Sequence, residues 1–275
     1  MSMKVKITVM GLCMALLMSF SLNVAAAAPG KSVNVIQTDN SDISFTFAEK
    51  DGLINRGNFS QITAHENDAG VKVNLQLLSN MAGKEYQMVF DLPEGSNLIL
   101  PQGDQADGSI LIQSSTGELI GAVDPLTLYD TDGNKVQVSV KLQGNAVLYT
   151  IDNFGNSVSY PLSGGITVYA DANSFSTWFQ YGHWHIRDNG MKTLTLMPTS
   201  GWHSLDVTTA QLSWSWGAVK AKFSGHAYWY NETGLYDQYY CHVVGSFMRP
   251  GEEWDLEPDR PAVGTVATIQ ANCNP

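Results

Sequence analysis

Two hydrophobic periods divide the chain. From about residue 31 to 170, apolar and polar residues alternate in Val33-Asn34-Val35-Ile36, in Ile43-Ser44-Phe45-Thr46-Phe47, in Val71 to Leu77 and in Val136 to Leu142. This period of two is that of strands with one wet face. Turn-forming residues separate the runs at Asp51-Gly52, Asn67-Asp68-Ala69-Gly70, Asp132-Gly133-Asn134, Gly144-Asn145 and Asp152 to Asn156. With no helical period among them, the pattern predicts an all-β sandwich or barrel-like domain.

Beyond residue 172 the pattern changes. Ser176 to Arg187 and Lys192 to Pro198 flank Asp188-Asn189-Gly190, which predicts a hairpin. Leu205, Leu212, Trp216, Val219 and Phe223 then share one face of a 3.6-residue period, with Ser204 or Asp206 as cap. A second helix is expected from Leu235 to Phe247, with Tyr236, Tyr240, Val243 and Phe247 inward. The second half is therefore expected to be a small α+β domain, residues 172–275.

The opening residues fit neither domain. Lys4 and Lys6 precede an apolar run from Ile7 to Val24, and Ala25 to Ala28 follow it. A basic start, an apolar core and small residues at the cleavage position describe a signal peptide over residues 1–28. The expectation is a secreted, extracellular protein without a membrane anchor after cleavage, and Cys13 leaves with the signal. Removing Lys4 and Lys6 takes the net charge from -11 to -13. That balance argues against a broad phosphate-neutralising surface for nucleic acid.

Two cysteines remain, Cys241 and Cys273. In an exported chain they suggest one disulfide rather than a metal knot. Closing that loop would stabilise the fold by about 3 kcal/mol in the chain-entropy model. Composition supports the division into two domains. All seven tryptophans and five of the six histidines follow residue 171, so the boundary is expected between Ala170 and Ser174.

Several residues could carry chemistry. His183 and His185, two apart on a strand, point the same way and could hold zinc or copper if a third ligand joined them, though none is evident nearby and no cofactor is called for. Trp184, Trp229 and Tyr230 lie close to polar neighbours and are the candidates to stack on a sugar ring of a cell-wall glycan or other extracellular polymer. Asp124, Asp130 and Asp132 could bind calcium, but acids at turns are usually solvated. In the tail, two prolines stiffen the backbone around Arg260 in Leu256-Glu257-Pro258-Asp259-Arg260-Pro261. His242, Glu257 and Arg260 together would supply a proton shuttle, a second acid or base and a clamp for a developing anion. The alternative is a Glu257 to Arg260 ion pair that locks the loop.

Two resemblances add to this. Gly121 to Pro125, Tyr129 to Asn134, Val147 to Tyr149 and Ser159 to Leu162 resemble an accessory β-module that precedes variable carboxy-terminal domains in secreted bacterial proteins. Asp237-Gln238, Cys241-His242, Trp254, Leu256-Glu257-Pro258, Arg260-Pro261, Val263-Gly264 and Cys273-Asn274-Pro275 resemble the secreted bacterial family called domain of unknown function 2599. That resemblance implies export, a carboxy-terminal position and a Cys241 to Cys273 link, and transfers no activity. Asp255 and Asp259 stand where it leads one to expect asparagine and tryptophan, and both would place negative charge near Arg260. Three functions follow as expectations: a small extracellular hydrolase or toxin-like effector presented by a β-module, a non-catalytic glycan binder, or a structural module.

Overall fold

The computed structural model describes residues 43–50, 59–67, 70–152, 158–170, 174–200, 206–245 and 251–275. The expected signal, the strand at Val33 to Ile36, the turn at Asp51-Gly52, the Ser204 cap and Phe247 lie outside the described residues, as does most of the turn beginning at Asp152. The chain forms two compact units that part between Ala172 and Asn173.

Alternating apolar residues make the amino-terminal unit a stack of two antiparallel sheets. Its strands are β1 (Ser44–Glu49), β2 (Ser60–Asn67), β3 (Gly70–Leu77), β4 (Glu85–Asp91), β5 (Asn97–Ile99), β6 (Ile110–Gln113), β7 (Leu119–Val123), β8 (Thr127–Tyr129), β9 (Lys135–Val136), β10 (Val138–Gln143), β11 (Ala146–Ile151) and β12 (Leu162–Tyr169). One sheet runs β1-β4-β11-β10 and the other β2-β3-β12-β7-β6-β5, with β8 also paired to β12 and β9 to β8. Phe45, Phe47, Tyr86 and Met88 from the first sheet share a core with Val73, Leu75, Ile110 and Ile166 from the second. The run expected as one strand from Val136 to Leu142 divides at Gln137. β9 pairs with β8 in one sheet and β10 with β11 in the other. Alternation continues through such a crossing, so periodicity alone cannot reveal it.

The carboxy-terminal unit is α+β. After a single turn of helix, α1 (Phe175–Trp178), come β13 (Phe179–Ile186), β14 (Lys192–Pro198), α2 (Thr209–Phe223), α3 (Glu232–Gly245), β15 (Trp254–Leu256) and α4 (Thr265–Gln270). β13 and β14 are the expected hairpin, and Gly190, at φ +82°, closes its turn where a side chain would be strained. Thr208, not Ser204 or Asp206, caps α2. Its hydroxyl accepts from the Gln211 amide at 3.1 Å while the Gln211 side chain accepts from the Thr208 amide at 3.2 Å, a reciprocal capping box. Leu212, Trp216, Val219 and Phe223 do face the core.

α3 is turned relative to expectation. Val243 is buried as expected and Leu235 and Tyr239 are buried with it, whereas Tyr236 and Tyr240 pack against the core only half-buried. The reason lies on a neighbouring face. Asp237, Gln238, Cys241 and His242 fall together at helical spacing, and each grips the tail: Asp237 Oδ2 accepts from the Gly264 amide at 2.9 Å, the Gln238 side chain donates to and accepts from the Glu257 backbone at 2.9 Å each, Cys241 is disulfide-bonded to Cys273, and His242 reaches the Asp255 carbonyl. Satisfying those polar groups fixes the rotation that apolar spacing leaves open.

Candidate functional site

The three-stranded sheet β13-β14-β15 has two unlike faces. Leu194, Leu196, Trp254 and Leu256 pack inward, beneath the helices. Gly182 lies on that side too. A Cβ there would sit 2.9 Å from Leu196 Cδ2 and 3.0 Å from Phe223 Cζ, so only glycine lets β13 close on the core. The residues between them, two apart along each strand, build the other face, and it is polar.

Register aligns that face into rows. His183 lies opposite Thr195, and Thr195 opposite Asp255. His185 lies opposite Thr193, and the register one step beyond Leu194–Leu256 sets Glu257 beside Thr193. His-x-His on β13, Thr-x-Thr on β14 and Asp-x-Glu at β15 thus make two parallel rows of imidazole, hydroxyl and carboxylate. The imidazole centroids are 5.4 Å apart. Thr195 Oγ1 donates to Asp255 Oδ1 at 2.6 Å. In the second row His185 Nδ1 and Thr193 Oγ1 are both buried and without a hydrogen-bond partner among the described residues. A polar group left in that state costs about 1–3 kcal/mol.

Arginines brace the carboxylate ends. Arg187 Nη2 donates to Asp255 Oδ2 and lies 2.9 Å from Glu257 Oε1, the latter contact being ionic because the N–H is not aimed at the oxygen. Arg260 Nε donates to Glu257 Oε2 at 2.6 Å, and Arg260 Nη1 to the Pro275 carbonyl at 3.2 Å. Glu257 is wholly buried. At the far end of the face Tyr181, 45 % exposed, donates its hydroxyl to Glu253 at 2.6 Å, and its ring lies 6.3 Å from that of His183.

His242, Glu257 and Arg260 do not converge in an open cleft. Glu257 and Arg260 form the locking pair, while His242 stacks on Trp254 with centroids 6.0 Å apart. Its Nε2 lies 3.3 Å from the Asp255 carbonyl, a bond that needs the proton on Nε2. His242 instead faces a cavity of about 410 Å³ beside the Cys241–Cys273 disulfide, with Arg187, Glu253 and Asp255 on its wall. Asp255 and Asp259 also act elsewhere than expected. Asp255 engages Arg187 and Thr195, and Asp259 accepts from the Tyr230 hydroxyl and lies 3.4 Å from Lys192 Nζ, so neither takes Arg260. The Tyr230 bond, with help from Lys192, holds the Asp259 carboxyl below its usual range.

The aromatic candidates are mostly packing. Trp184 stacks on His226 at 5.5 Å and meets Tyr228 edge-on, closing the core at the β13 margin. Trp229 lies against Trp216 at 5.5 Å and donates to Glu232 at 3.2 Å. Tyr230 is exposed, but its hydroxyl is engaged by Asp259 and Lys192. Asp130 and Asp124 likewise hold structure, the first by accepting from Asn134 and the Asp132 amide, the second from Tyr169 at 2.8 Å. Among the described residues no group of three or more His, Cys, Asp or Glu is placed to hold a metal ion. Thr193, Thr195, Arg187 and Asp255 were not evident as site residues from sequence. Their signal was the recurrence of paired polar residues two apart in three strands, which acquires meaning only once pairing is known.

No helix among the described residues is long and apolar enough to cross a membrane. No curated protein and no solved structure matches the chain. Residues 180–275 match the model of the family described as protein of unknown function (DUF2599), the family that the Cys-His, Leu-Glu-Pro, Arg-Pro and Cys-Asn-Pro elements of the carboxy-terminal unit resemble.

Proposed function

We propose that the protein is secreted and that its carboxy-terminal unit is a small extracellular hydrolase or toxin-like effector, with the β-unit as its presenter. The observation that supports this is the pair of rows on the polar sheet face, each carrying an imidazole, a threonine and a carboxylate. A hydrolase needs one group to take a proton from water and another to give one to the leaving atom. His185 suits the first role: its Nδ1 is buried, which leaves Nε2 as the nitrogen to take the proton. His183, with its ring 5.4 Å away, suits the second. Glu257 and Arg260 then serve the rows by position, and Glu257, enclosed by two guanidiniums, is not itself the acid or base.

The test does not depend on knowing the substrate. Extracellular polymer incubated with the protein in ¹⁸O-water is expected to gain label in its soluble products, and the His185→Gln variant to release about a hundredfold less or lower still. Label release equal in wild type, variant and buffer would end the hydrolase reading.

A polymer-binding role has its own support, now at Tyr181 rather than at Trp184 or Trp229. The exposed Tyr181 ring beside His183 is a flat surface on which a sugar could stack. Tyr181→Ala is expected to weaken co-sedimentation with purified cell-wall glycan by about three- to tenfold, the range of an aromatic contact. Unchanged co-sedimentation would remove Tyr181 from any binding surface.

A further inference from the structure

We infer that the bond cleaved on this face is a neutral carboxylic ester. The inference rests on the hydrolase reading above and narrows it by the charges that surround the two imidazoles.

Glycosidic cleavage ordinarily uses two carboxyl groups that flank the bond, one giving a proton and the other attacking or activating water. The carboxylates here are committed. Asp255 has one oxygen held by Thr195 and the other by Arg187. Glu257 is buried against Arg260 and Arg187, and Glu253 accepts from Tyr181. None forms a free pair.

A phosphodiester is disfavoured by the opposite shortage. It is an anion before reaction begins, and sites that take it hold uncommitted cations. The charge of Arg187 is balanced by Asp255 and Glu257, that of Arg260 by Glu257 and that of Lys192 by Asp259, although N–H groups of Arg187 outside Nη2 remain able to donate. The exposed Glu253, which accepts from Tyr181, adds negative charge at the far end of the face.

A carboxylic ester meets neither obstacle, and of the neutral acyl compounds it has a better leaving group than the amine of an amide. It is neutral when it binds, and charge develops on one oxygen only as the tetrahedral intermediate forms. One donor can then suffice. Arg187 is that donor: its side chain, 35 % exposed, spans both rows, and a guanidinium has five N–H groups, of which those on Nη2 are the ones engaged by Asp255 and Glu257. In the step itself, His185 Nε2 takes a proton from water as the water oxygen bonds to the carbonyl carbon and the carbonyl electron pair moves to the oxygen facing Arg187. Return of that pair breaks the bond to the alkoxy oxygen, which takes a proton from His183. Ester and water become acid and alcohol, and the proton on His185 passes to solvent as His183 regains one.

The experiment offers the full chain four chromogenic compounds: p-nitrophenyl acetate, bis(p-nitrophenyl) phosphate, a p-nitrophenyl glycoside and an amino-acid p-nitroanilide. Saturable hydrolysis of the acetate alone is expected, lowered about a hundredfold in His185→Gln and at least about tenfold in His183→Asn. His183 is exposed, so its variant keeps the result readable if the His185 variant fails to fold. The ¹⁸O that products of the natural polymer take up from water should appear in a carboxylic acid. Histidine-dependent cleavage of the phosphate, glycoside or anilide, or label in phosphate or at a sugar carbon, would overturn the ester assignment while the hydrolase reading stands. Absence of histidine-dependent cleavage in all four, with no label released, would overturn both.

Discussion

Replacing Glu257 with glutamine is expected to cost about 3 kcal/mol or more of folding stability, within the range for removing one partner of a buried ion pair. Glu257 is wholly buried, and both of its oxygens meet a guanidinium. Glutamine keeps the shape but leaves Arg187 and Arg260 facing a neutral amide. Arg187 and Arg260 retain 35 % and 20 % of their side-chain exposure, so water offsets part of the loss and the lower end of the range applies. The effect should extend beyond stability, because Arg187 also holds Asp255. A chemical-denaturation midpoint lowered in proportion, with an unchanged slope, is the expected reading. If Glu257→Gln unfolds at the wild-type midpoint, Glu257 is not a structural lock and a chemical role for it returns.

The disulfide is the second large contribution. Cys241 and Cys273 are separated by 32 residues, and a closed loop of that size stabilises by about 3–4 kcal/mol in the chain-entropy model. The loop encloses β15, the buried Glu257 and α4, so the cross-link confines the segment that carries the carboxylate ends of both rows. Cys241→Ser with Cys273→Ser, or wild type under reductant, should therefore unfold at a markedly lower denaturant concentration. The two preparations should agree. A double variant as stable as the oxidised protein would mean that the tail is held by the Asp237, Gln238 and Asn231 bonds alone.

These expectations show how the family-like residues divide. Asp237, Gln238, Cys241 and His242 stood out in the chain as an unusual cluster, and a chemical purpose was the natural inference for His242. In the fold all four hold the tail against α3. Glu257 and Arg260 follow them. Spacing showed that a glutamate and an arginine three apart could meet, which they do at 2.6 Å. It could not show Arg187, brought to the same glutamate by strand pairing from seventy residues earlier in the chain.

The aromatic residues illustrate a different limit. Trp184 and Trp229 have polar neighbours in sequence, which made them plausible ligands for a sugar. Burial is decided by what crosses over them, and the segment after α2 places His226 and Tyr228 against Trp184. Tyr181 drew no special notice in the sequence, yet it is the ring that remains open beside His183.

By itself the sequence determined the class of each unit, because periods of two and 3.6 residues reflect which side of a strand or helix is dry. It also determined the cysteines that pair and the parallel orientation of His183 and His185, which follows from strand geometry alone. Tertiary structure decided the rest. The crossing at Gln137, the rotation of α3 and the alignment of His183-Thr195-Asp255 with His185-Thr193-Glu257 all depend on register between segments remote in sequence. Register is set by the summed packing and hydrogen bonding of whole elements, and no short stretch of residues contains that sum.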